Sequence, residues 1–221
     1  MSLDTAWQIE QTWGSNQAVL KAVVAGLHPV TAIECGCGNY STPILAAGVD
    51  YLHSIEHDRR WAREVQKRFP ESKTHRYSVL PLQGIRNGTP HDEVPIQEHE
   101  QITRFYESLV CEIHDFVLVD TFRCARVAAA LALAKSTPLL MLHDVEPRSR
   151  DYYNYHALDA ALAGWHRYEH RPQGFVNKVH QIPWTALYSR EPLDLALLQP
   201  TVIGESIRLW GQSVCLEEIR G

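Results

Sequence analysis

The chain has 221 residues and a mass of 25.2 kDa, against roughly 100–200 residues per domain, so it is expected to form one domain. Hydrophobic residues make up 45% and charged residues 21%, which excludes a disordered or fibrous chain. A net charge of −5 and a pI near 6.2 exclude a broadly basic protein that grips nucleic acid by its phosphates.

The predicted elements alternate between short apolar runs and longer helical patterns. A helical stretch over residues 16–27 comes first. Residues 30–35 read as a buried strand, and 41–47 open a helix after a glycine turn. Residues 51–56 form a second strand, after which Asp58 caps a helix that runs to 68 and is closed by Pro70. A weaker third strand covers 75–80, a loop 84–98 and a helix 98–110. Residues 115–120 and 138–143 are strands on either side of a helix over 125–135. Residues 151–163 read as helical, and 165–170 and 184–189 as strands. Trp7 and Trp13 are expected to pack against the sheet, with covering of the site or an oligomer contact, such as a homodimer, as the alternatives.

Near-continuous apolar strands alternating with helices predict an α/β fold, a parallel sheet covered on both faces. The expected layout is a helical segment over 1–29, a Rossmann-like core over 30–190 and a C-terminal extension over 191–221. The start of the sequence, with Asp4 and Glu10, does not read as a signal peptide. The longest apolar run, 127–134, ends at Lys135 and is far short of the about 20 residues of a membrane span. Five cysteines at irregular spacing predict reduced thiols and a cytoplasmic protein. Cys35-x-Cys37 lacks the second pair that a zinc site needs.

In such sheets the ligand sits outside the carboxyl ends of the strands. The first strand ends in Glu34-Cys35-Gly36-Cys37-Gly38-Asn39-Tyr40-Ser41-Thr42, the second in Glu56-His57-Asp58, the fourth in Asp120 and the fifth in His143-Asp144. Gly36 and Gly38 permit a sharp turn and close approach of a ligand to the main chain. A dinucleotide fingerprint would have a third glycine where Ser41 stands. A carboxylate at Glu34 repels a pyrophosphate and attracts a cationic ligand. Glu56 lies 18 residues after Gly38, close to the spacing at which an acid receives a ribose diol. The reading is a nucleoside-type ligand.

The run from Glu34 to Thr42, followed by Ser54-Ile55-Glu56-His57-Asp58 and Trp61, resembles the first two motifs of class I S-adenosylmethionine-dependent methyltransferases, and in particular a largely uncharacterised bacterial group. Val119-Asp120-Thr121-Phe122-Arg123, His143-Asp144 and Arg150-x-x-Tyr153 are similar to later elements of that group. The resemblance implies a Rossmann-like three-layer sandwich with a seven-stranded, mostly parallel sheet whose last strand is antiparallel. It implies S-adenosylmethionine as cofactor, lying across Gly36–Ser41 with its ribose on Glu56. The cofactor-binding residues are then Glu34, Gly36, Gly38, Asn39, Ser41, Thr42, Glu56, His57 and Asp120. Many relatives have glycine where this chain has Thr121.

Methyl transfer needs an acceptor lone pair aligned with the methyl group, and a hydroxyl acceptor also needs a base. Asp120, His143 and Asp144 are the catalytic candidates. A divalent metal on Asp120 and Asp144 is the less favoured reading, because Val145 follows where a further ligand would stand. The chain lacks the Asn/Asp-Pro-Pro-aromatic tetrad that grips a planar nucleobase; Ile182-Pro183-Trp184 is its nearest approach. The expected acceptor is a small molecule, with neither nucleic acid nor membrane as partner. The rival readings are a nicotinamide-dependent oxidoreductase on a similar sheet and a non-catalytic nucleoside-binding domain.

Overall fold

A computed structural model describes residues 13–110, 113–176 and 180–219. In chain order its elements are α1 (Gln17–Leu27), β1 (Thr31–Cys35), α2 (Ser41–Gly48), β2 (Tyr51–Glu56), α3 (Arg59–Arg68), β3 (His75–Val79), α4 (Ile96–Ser108), β4 (Phe116–Val119), α5 (Arg123–Leu133), β5 (Leu139–His143), α6 (Pro147–Tyr152), β6 (His166–His170), β7 (Thr185–Ser189), α7 (Leu195–Trp210) and β8 (Leu216–Ile219).

The strands form one sheet in the order β3-β2-β1-β4-β5-β7-β6-β8. The first five run parallel, β7 runs against both β5 and β6, and β8 runs against β6. The sheet therefore has eight strands, not the expected seven. The extra one lies in the segment read as an extension, and its burial pattern explains why it escaped. Leu216 is buried, Glu217 and Glu218 are exposed, and short charged edge strands carry almost no hydrophobic signal.

One face of the sheet packs Ala32, Leu118, Met141 and Leu187 against Val19, Leu20 and Val23 of α1 and Leu198 and Val202 of α7. The other packs Ile33, Val117, Val119 and Leu142 against Ile102 and Tyr106 of α4 and Ala129 and Leu133 of α5. The layers arise because the parallel strands are apolar on both faces. Helices α1 and α7 lie side by side in opposite directions, joined by Lys21 to Glu205 at 2.9 Å and by Arg208 to Gln17 at 3.3 Å.

Two local readings change. The helix expected over 151–163 starts and ends earlier, at Pro147 and Tyr152, and a 3-10 turn follows over Tyr155–Leu158. Proline suits a first helical position, and Asn154 at φ 57° breaks the helix in the left-handed region. Trp13 is 69% exposed, because the inward positions at the start of α1 belong to Ser15, Asn16 and the residues after them. Trp7 and Cys111 lie outside the described residues; Cys35, Cys37, Cys124 and Cys215 are free thiols. No helix among the described residues is long and apolar enough to cross a membrane.

Candidate functional site

The loops after β1, β2, β4 and β5 meet at the carboxyl edge of the sheet. Gly36 has φ 93°, a conformation that disfavours side chains. A Cβ there would lie 2.0 Å from the Asp120 carbonyl oxygen. Its N–H donates to Ile55 O at 2.8 Å, while Asp120 N–H donates to Cys35 O at 2.8 Å. Gly36 is thus required by the crossing of the β1 and β4 loops. Gly38 is different: a Cβ there would meet only Ser41 Oγ, at 3.5 Å. Neither backbone strain nor neighbours demand glycine at that position, and its main chain is tied to Thr42, whose N–H donates to Gly38 O at 3.2 Å.

Glu34 does not face the open edge. It is fully buried beneath the glycine loop, on the same sheet face as its register partner Ser54. Its Oε2 accepts from Thr42 Oγ1 at 2.8 Å and from Ser54 Oγ at 2.7 Å, and Thr42 in turn accepts from Gly38 N at 2.9 Å. Oε1 has no hydrogen-bond partner. Burial outweighs the hydrogen bonds and lifts this carboxyl to about 7. Glu56, also buried, accepts from His57 N at 2.6 Å and Asp58 N at 3.0 Å. Desolvation raises it to about 7 as well.

The surrounding side chains fix these two acids. Asp58 caps α3 by accepting from Arg60 N and Trp61 N, and Trp61 Nε1 donates back to Cys37 O at 2.7 Å. Asn39 Oδ1 is held by Arg68 at 2.6 Å. His57 is driven by burial to about 4, hence neutral. Its Nδ1 is 2.9 Å from Thr121 Oγ1, and its ring stacks on Phe122 with centroids 5.5 Å apart. Thr121, unlike a glycine, therefore ties the β2 loop to the β4 loop.

On the β4/β5 side, Asp120, His143 and Asp144 do come together: one ligating atom from each lies within 4.8 Å of the others. Arg126, buried at the start of α5, joins them. Its Nη2 is 2.7 Å from Asp120 Oδ1 and 3.0 Å from Asp144 Oδ2. His143 Nδ1 is 3.1 Å from Asp120 Oδ2 and 3.5 Å from Asp144 Oδ1. The four charges alternate around a ring. Burial presses His143 down, but Asp144 and Asp120 prevail and lift it to about 9. Burial pushes Asp120 up, and His143 and Arg126 override it to hold the carboxyl well below its ordinary value.

The ring is completed from distant segments. Ser15 Oγ lies 2.6 Å from His143 Nε2, and Asn16 Nδ2 donates to Asp120 Oδ2 at 3.3 Å. Tyr153 donates to Asp144 Oδ2 at 3.3 Å and covers the Arg126 guanidinium with its ring, 4.0 Å away. Arg150 instead pairs with Asp159 at 2.6 Å. Asp144 sits at φ 58°, a left-handed conformation that aspartate tolerates better than most residues. The sequence reading missed Arg126, although a single charge within the apolar run 125–134 signals a buried partner. Ser15 and Asn16 carried no local signal.

A groove of about 560 Å³ lies elsewhere, between α4 and α5 beside Trp165 and Arg190. Alanine, valine and leucine side chains make up half of its lining, whereas the clustered acids and histidines place the candidate site at the strand ends.

The mostly parallel Rossmann-like sheet with antiparallel strands at its C-terminal end is similar in fold to solved methyltransferases and to a spermidine synthase. The N-methyltransferase NodS from Bradyrhizobium japonicum WM9 is similar in structure, with a TM-score of 0.50 and 12% identity, over 80% of this chain and 94% of that one. NodS has also been solved with S-adenosyl-L-homocysteine. Spermidine synthase from Thermotoga maritima is similar with a TM-score of 0.55 and 10% identity, over 89% of this chain and 65% of that one. An rRNA methylase from Streptococcus thermophilus is similar with a TM-score of 0.50 and 11% identity, over 80% and 95%. No protein-family profile matches the sequence, and no curated protein matches it significantly.

Proposed function

We propose that this protein is a cytoplasmic S-adenosylmethionine-dependent methyltransferase acting on oxygen or nitrogen of a small-molecule acceptor. The observation that carries the reading is Glu56, a buried acid at the end of β2 with no cationic side chain bonded to it among the described residues, beside a glycine loop that Glu34 braces from beneath. In the proposed role Glu56 receives the ribose diol, and the loop from Gly36 to Thr42, with Asn39 and Ser41, cradles the rest of the cofactor. His57 orients this segment through Thr121.

The cofactor supplies an electrophilic methyl group on a positively charged sulfur. Asp120, between the two halves, faces both ligands. In the charge ring His143 is held protonated and Asp120 is a poor base, so the ring is suited to orienting an N–H or O–H of the acceptor by accepting its hydrogen bond. Proximity and alignment can contribute on the order of 7–11 kcal/mol to such a step. The net charge of −5 favours a small acceptor over nucleic acid.

Calorimetric titration with S-adenosylhomocysteine tests the reading. Binding in the micromolar range, weakened about tenfold to a hundredfold in Glu56→Ala, is expected from the loss of hydrogen bonds to a charged group. No binding at millimolar ligand, or undiminished binding by Glu56→Ala, would sink it. Binding with no methyl transfer to any component of a cell extract, followed by mass shift with labelled cofactor, would favour the non-catalytic alternative.

A further inference from the structure

We infer that the Arg126 guanidinium is the resident cation of the Asp120/His143/Asp144 cluster, holding the place a divalent metal ion would take. Two carboxylates and an imidazole within 4.8 Å offer a donor set of the kind that holds manganese or zinc. Here each carboxylate directs one oxygen to Arg126 Nη2 and the other to His143 Nδ1.

The guanidinium is not a loose counter-ion. Arginine has five N–H donors; Arg126 makes four hydrogen bonds and one further ion pair. Nε donates to Thr121 O at 2.8 Å. Nη1 donates to His143 O at 2.9 Å and to Tyr155 Oη at 3.1 Å. Nη2 serves Asp120 and Asp144. Tyr153 closes the remaining face. A metal ion bound by both acids would have to expel this group or sit beside it, and a dication next to a fixed, desolvated cation is strongly repelled.

The exposure of the four members fits the same picture. The Asp120 and Asp144 side chains keep 22% and 18% of their surface, against 6% for Arg126 and 4% for His143. The cations are the more deeply buried members and the aspartates keep the greater exposure, so the cluster meets a ligand as a pre-neutralised acceptor of hydrogen bonds rather than as a Lewis acid. This inference concerns which cation fills the cluster and stands independently of the reaction proposed above.

Manganese titration followed by the electron paramagnetic resonance of the free ion decides it. The wild-type chain is expected to show no site tighter than about 1 mM, the weak end for carboxylate sites. Arg126→Met is expected to gain a site at least about tenfold tighter, which disappears when Asp144→Asn is added. A wild-type site that Asp144→Asn abolishes would overturn the inference. So would a folded Arg126→Met that gains nothing. Arg126→Gln, neutral but still a donor, replaces Arg126→Met if the latter does not fold. Should neither fold, the wild-type titration alone decides.

Discussion

The carboxyl edge of the sheet carries two pairs of acids treated in opposite ways. Glu34 and Glu56, at the ends of β1 and β2, are buried among hydroxyls and backbone amides with no cation bonded to them, and both are lifted to about 7. Asp120 and Asp144, at the ends of β4 and β5, share Arg126 and His143, and Asp120 is held well below its usual range. Of the first pair, Glu34 is sealed beneath the glycine loop, and the proposed cofactor role falls to Glu56. The second pair is already neutralised from within and serves shape and hydrogen bonding.

The strongest way to break this contrast is to remove the internal cation. Arg126→Met is expected to lower unfolding stability in urea by about 3–5 kcal/mol, because it leaves two carboxylates in a desolvated ring with only His143 to offset them. A loss below about 1 kcal/mol, the scale of an exposed pair, would show that the ring is open to water.

Next comes the seam between the halves. Gly36→Ala combines a strained φ with an overlap against Asp120 O and is expected to cost about 3 kcal/mol. Thermal melting and S-adenosylhomocysteine titration should both register it. An unaffected variant would mean that the two loops do not cross as described.

The acids also separate by pH. Glu34 and Glu56 sit above their ordinary value of 4.5, so the folded chain retains protons that the unfolded chain releases. Their contribution to stability is complete below about 4.5 and is lost as pH rises through about 7. His143, raised from 6.5 to about 9, contributes fully below 6.5 and is lost through about 9. The ligand-free melting temperature should therefore fall from pH 5 to 7.5 and again toward pH 9.5. Over pH 6 to 8, ionisation of Glu56 should tighten S-adenosylhomocysteine binding by about tenfold; flat binding across that range would remove the role assigned to it.

The smallest effect sharpens the cradle alone. Trp61→Phe removes the hydrogen bond to Cys37 O and is expected to cost about 1 kcal/mol in stability, with weaker cofactor binding and no change in the Arg126 ring. Equal loss in both halves, read from the manganese response of Arg126→Met, would contradict their independence.

Elements with a strong local pattern were legible in the sequence. The apolar strands β1, β2, β4 and β5 place Glu34, Glu56, Asp120 and His143 at one edge by chain order alone, and Asp58 marks its helix start by side-chain chemistry. What escaped depends on long-range geometry. β8 has one inward residue, so no alternation betrays it. Whether Glu34 looks into the ligand space or beneath the loop depends on Thr42 and Ser54. His143 reads as a titratable base until Arg126 and two aspartates surround it. Ser15 and Asn16 reach His143 and Asp120 across 128 and 104 residues, a separation that no local pattern encodes.

The antiparallel pairing of α1 with α7 has a consequence for how the chain is made. Helix α1 leaves the ribosome early, but the surface of α7 that covers it, around Glu205 and Arg208, is synthesised nearly at the other extreme of the sequence. At about 5–20 residues per second, α1 waits roughly ten to forty seconds with Lys21 and Gln17 short of their partners. Asp120 and His143, which hold Asn16 and Ser15, are made well before that point, so the polar corner can form on the sheet before α7 covers α1. Premature termination within α7 would spare most of the sheet while stripping α1 of its outer neighbour.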